Sequence, residues 1–391
     1  MQISQRVAAL AESATLAISA RAAELRRQGQ DVISFGAGEP DFDTPESIKA
    51  VAIEAIRSGQ TKYPKPASGL PQAKEAVRAK LARENGLTYG LDQVIITAGG
   101  KMACQLACMA TLNPGDEVII PVPYWVSYPE LVKLAGATSV FVHGLEKDNF
   151  CLQPEQLAAA LTDRTRAMFL NSPSNPGGFT YSPDQIRGLA EVLAGREMWV
   201  YSDEIYDRLL YEGREFLSYA AVGPGAYDQT ITINGASKTY AMTGWRVGYA
   251  AGPTPVIKAM AKLQSQGTSG AATFTQLALA AALTDSQESV ERMRVEYERR
   301  AAHIHRRLND LPGVTCTKPT GAFYAFPNVS KAFERLNVGG SAEFCERVLN
   351  EAQVAIVPGV AFGSDDHARF SFACSLEQID AGLDRLAKLL A

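Results

Sequence analysis

Between residues 94 and 267 short runs of apolar, β-branched residues alternate with longer segments of helical period, and that alternation points to a parallel α/β sheet. Strands are predicted at VIIT (94–97), DEVIIPV (116–122), AMFLN (167–171), MWVYSD (198–203), TITIN (230–234) and RVGYAAG (246–252). Helices are predicted between them at 71–86, 182–195 and 253–267. Several strands are almost wholly apolar, as expected where helices cover both faces of a sheet. The fold class is therefore α/β, with a doubly wound large domain over 46–285.

From Ser286 the pattern changes to a long charged helix at 288–311, followed by short strand candidates at GAFYAFP (321–327), VAIVPG (354–359) and ARFSFA (368–373). This predicts a smaller α+β domain over 286–391. Residues 1–45 fit neither pattern and read as an N-terminal arm and part of the small domain, packed on its neighbour. No repeat, low-complexity tract or linker separates the parts.

The chain has 391 residues, enough for two domains with their own cores. Its 38 basic and 42 acidic side chains give a net charge of −4, with no basic run to track a phosphate backbone, so no nucleic-acid partner is expected. The longest apolar run, Leu277 to Leu283, is too short to span a bilayer, so no membrane partner is expected either. Six scattered cysteines without a Cys-x-x-Cys pair suit reduced thiols in the cytoplasm. Cys104 and Cys108 find no histidines at matching spacing, and no metal site is expected. The alanine-rich start is interrupted by Glu12 and reads as a cytoplasmic N-terminus rather than a signal peptide.

In an open α/β sheet ligands bind beyond the carboxyl ends of the strands. After VIIT come Gly99 and Gly100, which let backbone N–H groups approach an anion at a helix start, or simply form a turn. After AMFLN comes SPSNPGG with Asn175, a hydrogen-bonding side chain in a Pro/Gly loop. MWVYSD ends on Asp203, three residues before Tyr206; a carboxylate at that depth either caps the next segment or needs a cationic partner. TITINGASK brings Lys238 to the crevice, where an amine can form a Schiff base with a carbonyl cofactor or merely sit solvated in a loop. Its neighbours Ser237 and Arg246 can grip a phosphate. Arg369, in an apolar strand, reads as half of a structural ion pair or as a bidentate carboxylate clamp.

Taken together, FGAGEPDFDTP (35–45), TKYPKPASGLP (61–71), TAGGK (97–101), PYWVSYPE (123–130), NSPSNPGG (171–178), SDEIYDRLLYEG (202–213), GASKTYAMTGWRVGY (235–249), GAFY (321–324) and VPG (357–359) resemble the class I aminotransferases of fold type I, which are pyridoxal phosphate enzymes. The similarity runs over essentially the whole chain and is closest to the bacterial subgroup Ib of aspartate and aspartate/prephenate aminotransferases. It implies a mostly parallel seven-stranded sheet between helices plus the smaller α+β domain. It also implies pyridoxal 5'-phosphate as cofactor, amino acid and 2-oxo acid substrates, and a homodimer with shared active sites.

By the same resemblance Lys238 carries the cofactor covalently and moves the substrate proton, Asp203 pairs with the pyridine nitrogen, and Tyr206 and Asn175 bond the phenolic oxygen. Trp125 stacks on the ring, Gly99, Gly100, Lys101, Ser237 and Arg246 surround the phosphate, and Tyr63 reaches the phosphate of the neighbouring subunit. Arg369, helped by Gly38 and Asn175, clamps the substrate α-carboxylate. Lys101 then favours a second, distal carboxylate, and Thr15 is a further contact. The expected reaction is ping-pong transfer from L-aspartate to 2-oxoglutarate; an aromatic or prephenate aminotransferase, or another pyridoxal phosphate enzyme of this fold, is the alternative.

The family's pattern implies cis bonds at Val122-Pro123 and Asn175-Pro176. The sequence departs from that pattern twice. Prephenate-using members carry a basic residue where Leu10-Ala11-Glu12-Ser13 stands here, and the usual Thr or Ser after Asn-Pro is Gly177. A dinucleotide-binding reading of Gly36-Ala37-Gly38 fails because Asp41 stands where the last glycine would be needed. A cofactor-sensing regulator would need a DNA-binding domain, and the first 30 residues show no such pattern.

Overall fold

A computed structural model describes residues 2–12 and 14–391. In chain order its strands are β1 (Ile33–Ser34), β2 (Val94–Thr97), β3 (Glu117–Val122), β4 (Thr138–His143), β5 (Thr165–Asn171), β6 (Trp199–Asp203), β7 (Thr230–Gly235), β8 (Gly248–Ala251), β9 (Tyr324–Ala325), β10 (Val354–Ala355), β11 (Val357–Pro358) and β12 (Ala368–Ser371). Seven of them form one sheet in the order β2-β8-β7-β6-β5-β3-β4. It is parallel except for β8, which runs antiparallel to both its neighbours.

Alternating side chains of β2 serve two different cores, which is why the strand is apolar throughout. Val94 and Ile96 pack with the helices Pro71–Asn85 and Thr273–Thr284, whereas Ile95 packs with Gly100–Thr111 and Thr254–Gly267. Helix boundaries follow local chemistry. Pro71 opens its helix at the first turn, where a missing N–H costs nothing, and Gly86 closes it in the left-handed region at φ 67°. Ser182 and Gln185 cap Pro183–Leu193 reciprocally.

Strand β4 was not expected from the sequence. It lies on the sheet edge, beside β3, with much of its surface in water, so TSVFVH shows no buried apolar run. β8 is also shorter than RVGYAAG suggested, because Arg246 sits at φ 52°, outside strand geometry.

The second sheet, β11-β12-β9, is antiparallel, and β1 pairs in parallel with β10. The N-terminal arm is thus stitched to the C-terminal region: Phe35 N–H donates to Ala355 at 2.8 Å, and Ser371 N–H donates to Phe35 at 2.8 Å. That stitching brings Gly36 and Gly38 over the carboxyl edge of the large sheet. At that edge Asn171 of β5 is in register with Asp203 of β6, and Asp203 with Ile233 of β7.

Candidate active site

The edge opens into a cavity of about 370 Å³, a size suited to a small organic ligand. The ends of β5, β6 and β7 supply Asn171, Asp203, Ser237 and Lys238 to its wall; Gly38 comes from the N-terminal arm, and Tyr324 and Arg369 from the small sheet. Gly100, Lys101, Trp125, Asn175, Tyr206 and Arg246 also line it. Every residue assigned to the site from sequence therefore meets here except Gly99, which lies just behind Arg246, and Tyr63. Tyr63 is 78% exposed and is not part of this chain's cavity wall.

Asp203 is buried and accepts hydrogen bonds from the Tyr128 hydroxyl at 2.6 Å and from Ile205 N–H at 3.3 Å. Among the described residues no lysine, arginine or histidine forms an ion pair with it. Burial pushes its pKa up to about 6, although Tyr128, Ile205 N–H and the Lys238 charge pull the other way. Among the described residues none supplies the cation that a carboxylate at this depth calls for. Nor does Asp203 cap a helix, since a turn and not a helix follows it; its Oδ1 accepts from Ile205 N–H within that turn.

Lys238 donates to the Gly38 carbonyl. Burial, and next the Arg369 charge, bring its pKa down to about 8, despite attraction from Glu39 and Asp203. An amine poised that close to neutrality gives up its proton readily.

Arg369 is 2% exposed, and among the described residues no carboxylate meets either of the sequence readings for it. Its Nη1 donates to Asn175 Oδ1 at 2.9 Å and its Nη2 to the Gly36 carbonyl at 2.8 Å. Its Nε is buried without a partner, and the guanidinium carbon lies 4.7 Å from the Tyr324 ring centroid. A buried cation held only by neutral groups leaves room for one carboxylate.

The opposite end of the cavity favours an anion. The helix Gly100–Thr111 begins there, and the first N–H groups of a helix have no intrahelical partner. Gly99 has φ +89°, and a Cβ on it would come within 2.6 Å of Arg246 Nη2, so only glycine lets that guanidinium lie beside the helix start. Gly248 plays a similar part beneath: a Cβ there would meet Gly100 N at 2.6 Å. Trp125 walls the cavity with Lys101 Nζ 4.9 Å from its ring centroid. Thr15 and Leu16 of the N-terminal arm complete the wall.

Six residues lining this cavity were not singled out from sequence, Leu16, Tyr128, Asn171, Ile205, Thr243 and Tyr324, and three of them hold other residues of the site in place. Tyr128 holds Asp203; Asn171 donates to the Asp203 carbonyl at 2.9 Å and accepts from Asn175 N–H at 2.9 Å; Tyr324 bonds the Tyr206 hydroxyl at 2.9 Å. All three fall inside the quoted motifs, and that placement is the only signal they carry.

The structure also accounts for Gly177. A Cβ there would stand 2.2 Å from the Phe179 ring, so the ring fills the space that a threonine or serine side chain would take. Val122-Pro123 and Asn175-Pro176 are both cis. Ala11 N–H donates to Glu130 at 3.0 Å; Ser13, the last of the Leu10-Ala11-Glu12-Ser13 stretch, lies outside the described residues.

The chain matches the family described as aminotransferase class I and II over residues 30–386. It is 47% identical over 390 residues to the aspartate aminotransferase of Geobacillus stearothermophilus, covering 100% of this chain and 99% of that protein. It is 44% identical over 395 residues to the aspartate/prephenate aminotransferase of Cereibacter sphaeroides, covering 100% and 98%. Among solved structures, the aspartate aminotransferase from Thermus thermophilus with maleate superposes with a TM-score of 0.95 at 44% identity, with both chains fully covered at 100%.

Proposed function

The chain belongs to the class I and II aminotransferases, and on that premise we propose that it transfers the amino group of L-aspartate to 2-oxoglutarate, giving oxaloacetate and L-glutamate, with pyridoxal 5'-phosphate as cofactor. The observation that carries the reading is a set of charges in the cavity wall that form no ion pair among the described residues: buried Asp203 at one point, buried Arg369 at another, and half-buried Lys238 between the arm and the sheet edge.

The residues present fit the cofactor. Asp203 suits a protonated pyridine nitrogen, Trp125 offers a flat face, Tyr206 and Asn175 suit the phenolic oxygen, and Gly99, Gly100, Ser237 and Arg246 suit the phosphate. Lys101 stands at the mouth of that phosphate end. When bound, pyridoxal phosphate supplies a carbonyl for the amine and a ring that takes up the electron pair left at the substrate Cα.

Lys238 Nζ then has two tasks: it is the covalent attachment point, and it moves a proton away from Cα. Arg369 orients the α-carboxylate so that the Cα proton faces that amine, and Asn175 fixes the guanidinium. Lys101, beside Trp125, suits a distal carboxylate, which favours aspartate and glutamate over aromatic donors. The Leu10-Ala11-Glu12 stretch presents no basic side chain, which argues against prephenate. We further assign the cofactor to the unit 46–285, the carboxylate clamp to units 1–45 and 286–391, a homodimer in which Tyr63 serves the neighbouring subunit, and a cytoplasmic location.

The test is the absorption spectrum of the purified protein with pyridoxal phosphate. A visible band that bleaches with L-aspartate and returns with 2-oxoglutarate is expected, with little response to L-phenylalanine or prephenate. A band answering only aromatic partners would overturn the use of Lys101; no band at all would overturn the reading.

A further inference from the structure

Asp203 and Tyr206 both enter the cavity from one short stretch that is neither strand nor helix beyond Asp203. Each is followed directly by an acidic residue, Glu204 and Asp207, turned to the opposite side. Asp203, Ile205 and Tyr206 line the active-site cavity, whereas Asp207 lines a separate cavity with Glu84, Asn85 and Arg208. Glu204 is 1% exposed and Asp207 5%, a depth at which carboxylates are rarely found unless paired.

Both are gripped by the helix Pro71–Asn85. Lys80, 2% exposed, donates to Asp207 and, at 2.9 Å, to Asn85 Oδ1. Asn85 Nδ2 in turn donates to Glu204 Oε2 at 3.1 Å, and Ser202 and Ser218 donate to Glu204 Oε1 at 2.9 and 2.6 Å. Burial alone would strip the Lys80 proton, but Asp207, Glu84 and Glu204 outweigh it and hold its pKa above the usual value. Inside the stretch the backbone has few bonds of its own: Asp207 N–H to Glu204 at 3.0 Å and Leu209 N–H to Tyr206 at 2.8 Å.

We propose that Lys80, Asn85, Glu204 and Asp207 form a positioning cluster that fixes the 203–207 stretch from behind and so sets where Asp203 and Tyr206 meet the cofactor. The cluster touches no reacting atom. Arg369 and Lys101, which hold the substrate carboxylates in the reading above, share no contact with it, so its effect belongs to the cofactor and not to the amino acid. A displacement of about 1 Å in such a constellation is enough to lose about 10²-fold in rate. The inference rests on pyridoxal phosphate lying against Asp203, but one arm of its test does not.

The test compares Lys80→Met with Val77→Ala, a cavity-forming change at a fully buried position of the same helix. In the cofactor-free protein, amide exchange over Ile205–Leu209 should accelerate by about tenfold in Lys80→Met beyond any global loss of stability, and not in Val77→Ala. In the full protein, Lys80→Met should weaken pyridoxal phosphate binding and lower kcat by about tenfold or more at saturating cofactor, with the KM for aspartate within about twofold.

Should Lys80→Met not fold, Glu204→Gln keeps both serine bonds while setting an amide donor against Asn85, and a smaller change of the same kind is expected. Unchanged exchange over this stretch and unchanged cofactor affinity in whichever variant folds would overturn the positioning role. If wild-type protein binds no pyridoxal phosphate, the functional reading fails, and the exchange arm still decides whether the cluster holds the stretch.

Discussion

The two sides of the stretch from Asp203 to Asp207 treat buried charge in opposite ways. Behind it, Lys80 and Asp207 pair directly, Asn85 links Lys80 to Glu204, and two serines satisfy the remaining carboxyl oxygen of Glu204. In front, among the described residues, the Asp203 carboxylate hydrogen-bonds only a phenol and an amide N–H, the Arg369 guanidinium donates only to an amide and a carbonyl while lying against two aromatic rings, and Lys238 donates only to a carbonyl. Asp203 and Arg369 in front are as buried as Lys80, Glu204 and Asp207 behind, and Lys238 is half-buried, so burial alone does not separate the two sides. What separates them is ion pairing: behind, Lys80 has a carboxylate partner in Asp207, although Asp207 Oδ1 is buried without a hydrogen bond, whereas in front no ion pair forms among the described residues, and such charges mark where a ligand's opposite charges belong.

The sharpest way to break this contrast is at Lys238. Lys238→Ala should cut turnover by more than about 10⁴-fold while leaving the thermal transition of the cofactor-free protein nearly in place, as checked by steady-state assay and calorimetry. Near wild-type turnover would remove the front side's central member. Next, Arg369→Lys keeps the charge but loses the planar fork. It should raise the KM for aspartate by about 10²-fold with cofactor affinity preserved.

Asp203 allows the contrast to be read as stability against pH. Its folded pKa, about 6, stands above the ordinary 3.8. The folded protein therefore holds this proton more tightly than the unfolded chain, so the penalty for burying the charge is absent below about pH 4 and complete above about pH 6. In the cofactor-free protein Asp203→Asn should stabilise by on the order of 2 kcal/mol at pH 8 and by nothing at pH 4, while weakening pyridoxal phosphate binding at both. Stabilisation that persists at pH 4 would show a cause other than the charge. At the rear carboxylate the sign of the substitution reverses: Asp207→Asn removes the partner of buried Lys80 and should destabilise.

Smaller effects sharpen the specificity and packing claims. Lys101→Met should raise the KM for aspartate about tenfold and change that for alanine little, since one exposed charge contact is at stake. Gly177→Ala should cost about 1 kcal/mol by pressing on the Phe179 ring, and Phe179→Leu should recover part of it, as read from paired melts.

How much of this was legible in the chain depends on the range over which each feature is determined. The apolar strands announce themselves locally, whereas β4, an edge strand with wet faces, does not. Asp203, Lys238 and Arg369 stand out because a charge at the end of an apolar run is locally anomalous. Tyr128 and Tyr324 do not, because a tyrosine in a helix or strand looks like ordinary core. Lys80 and Asp207 lie 127 residues apart, and no local pattern joins them. Gly177 was a puzzle in one dimension; its explanation, the Phe179 ring, is a matter of side-chain volume that only the folded chain displays.

The central claim is that the open charges in front await pyridoxal phosphate on Lys238, and the most direct measurement is borohydride reduction of the protein with pyridoxal phosphate followed by peptide mass mapping. The account predicts one modified peptide, containing Lys238, whose label is lost in Lys238→Ala and reduced in Asp203→Asn. Labelling spread over surface lysines, or centred on another lysine and unaffected by Asp203→Asn, would contradict it.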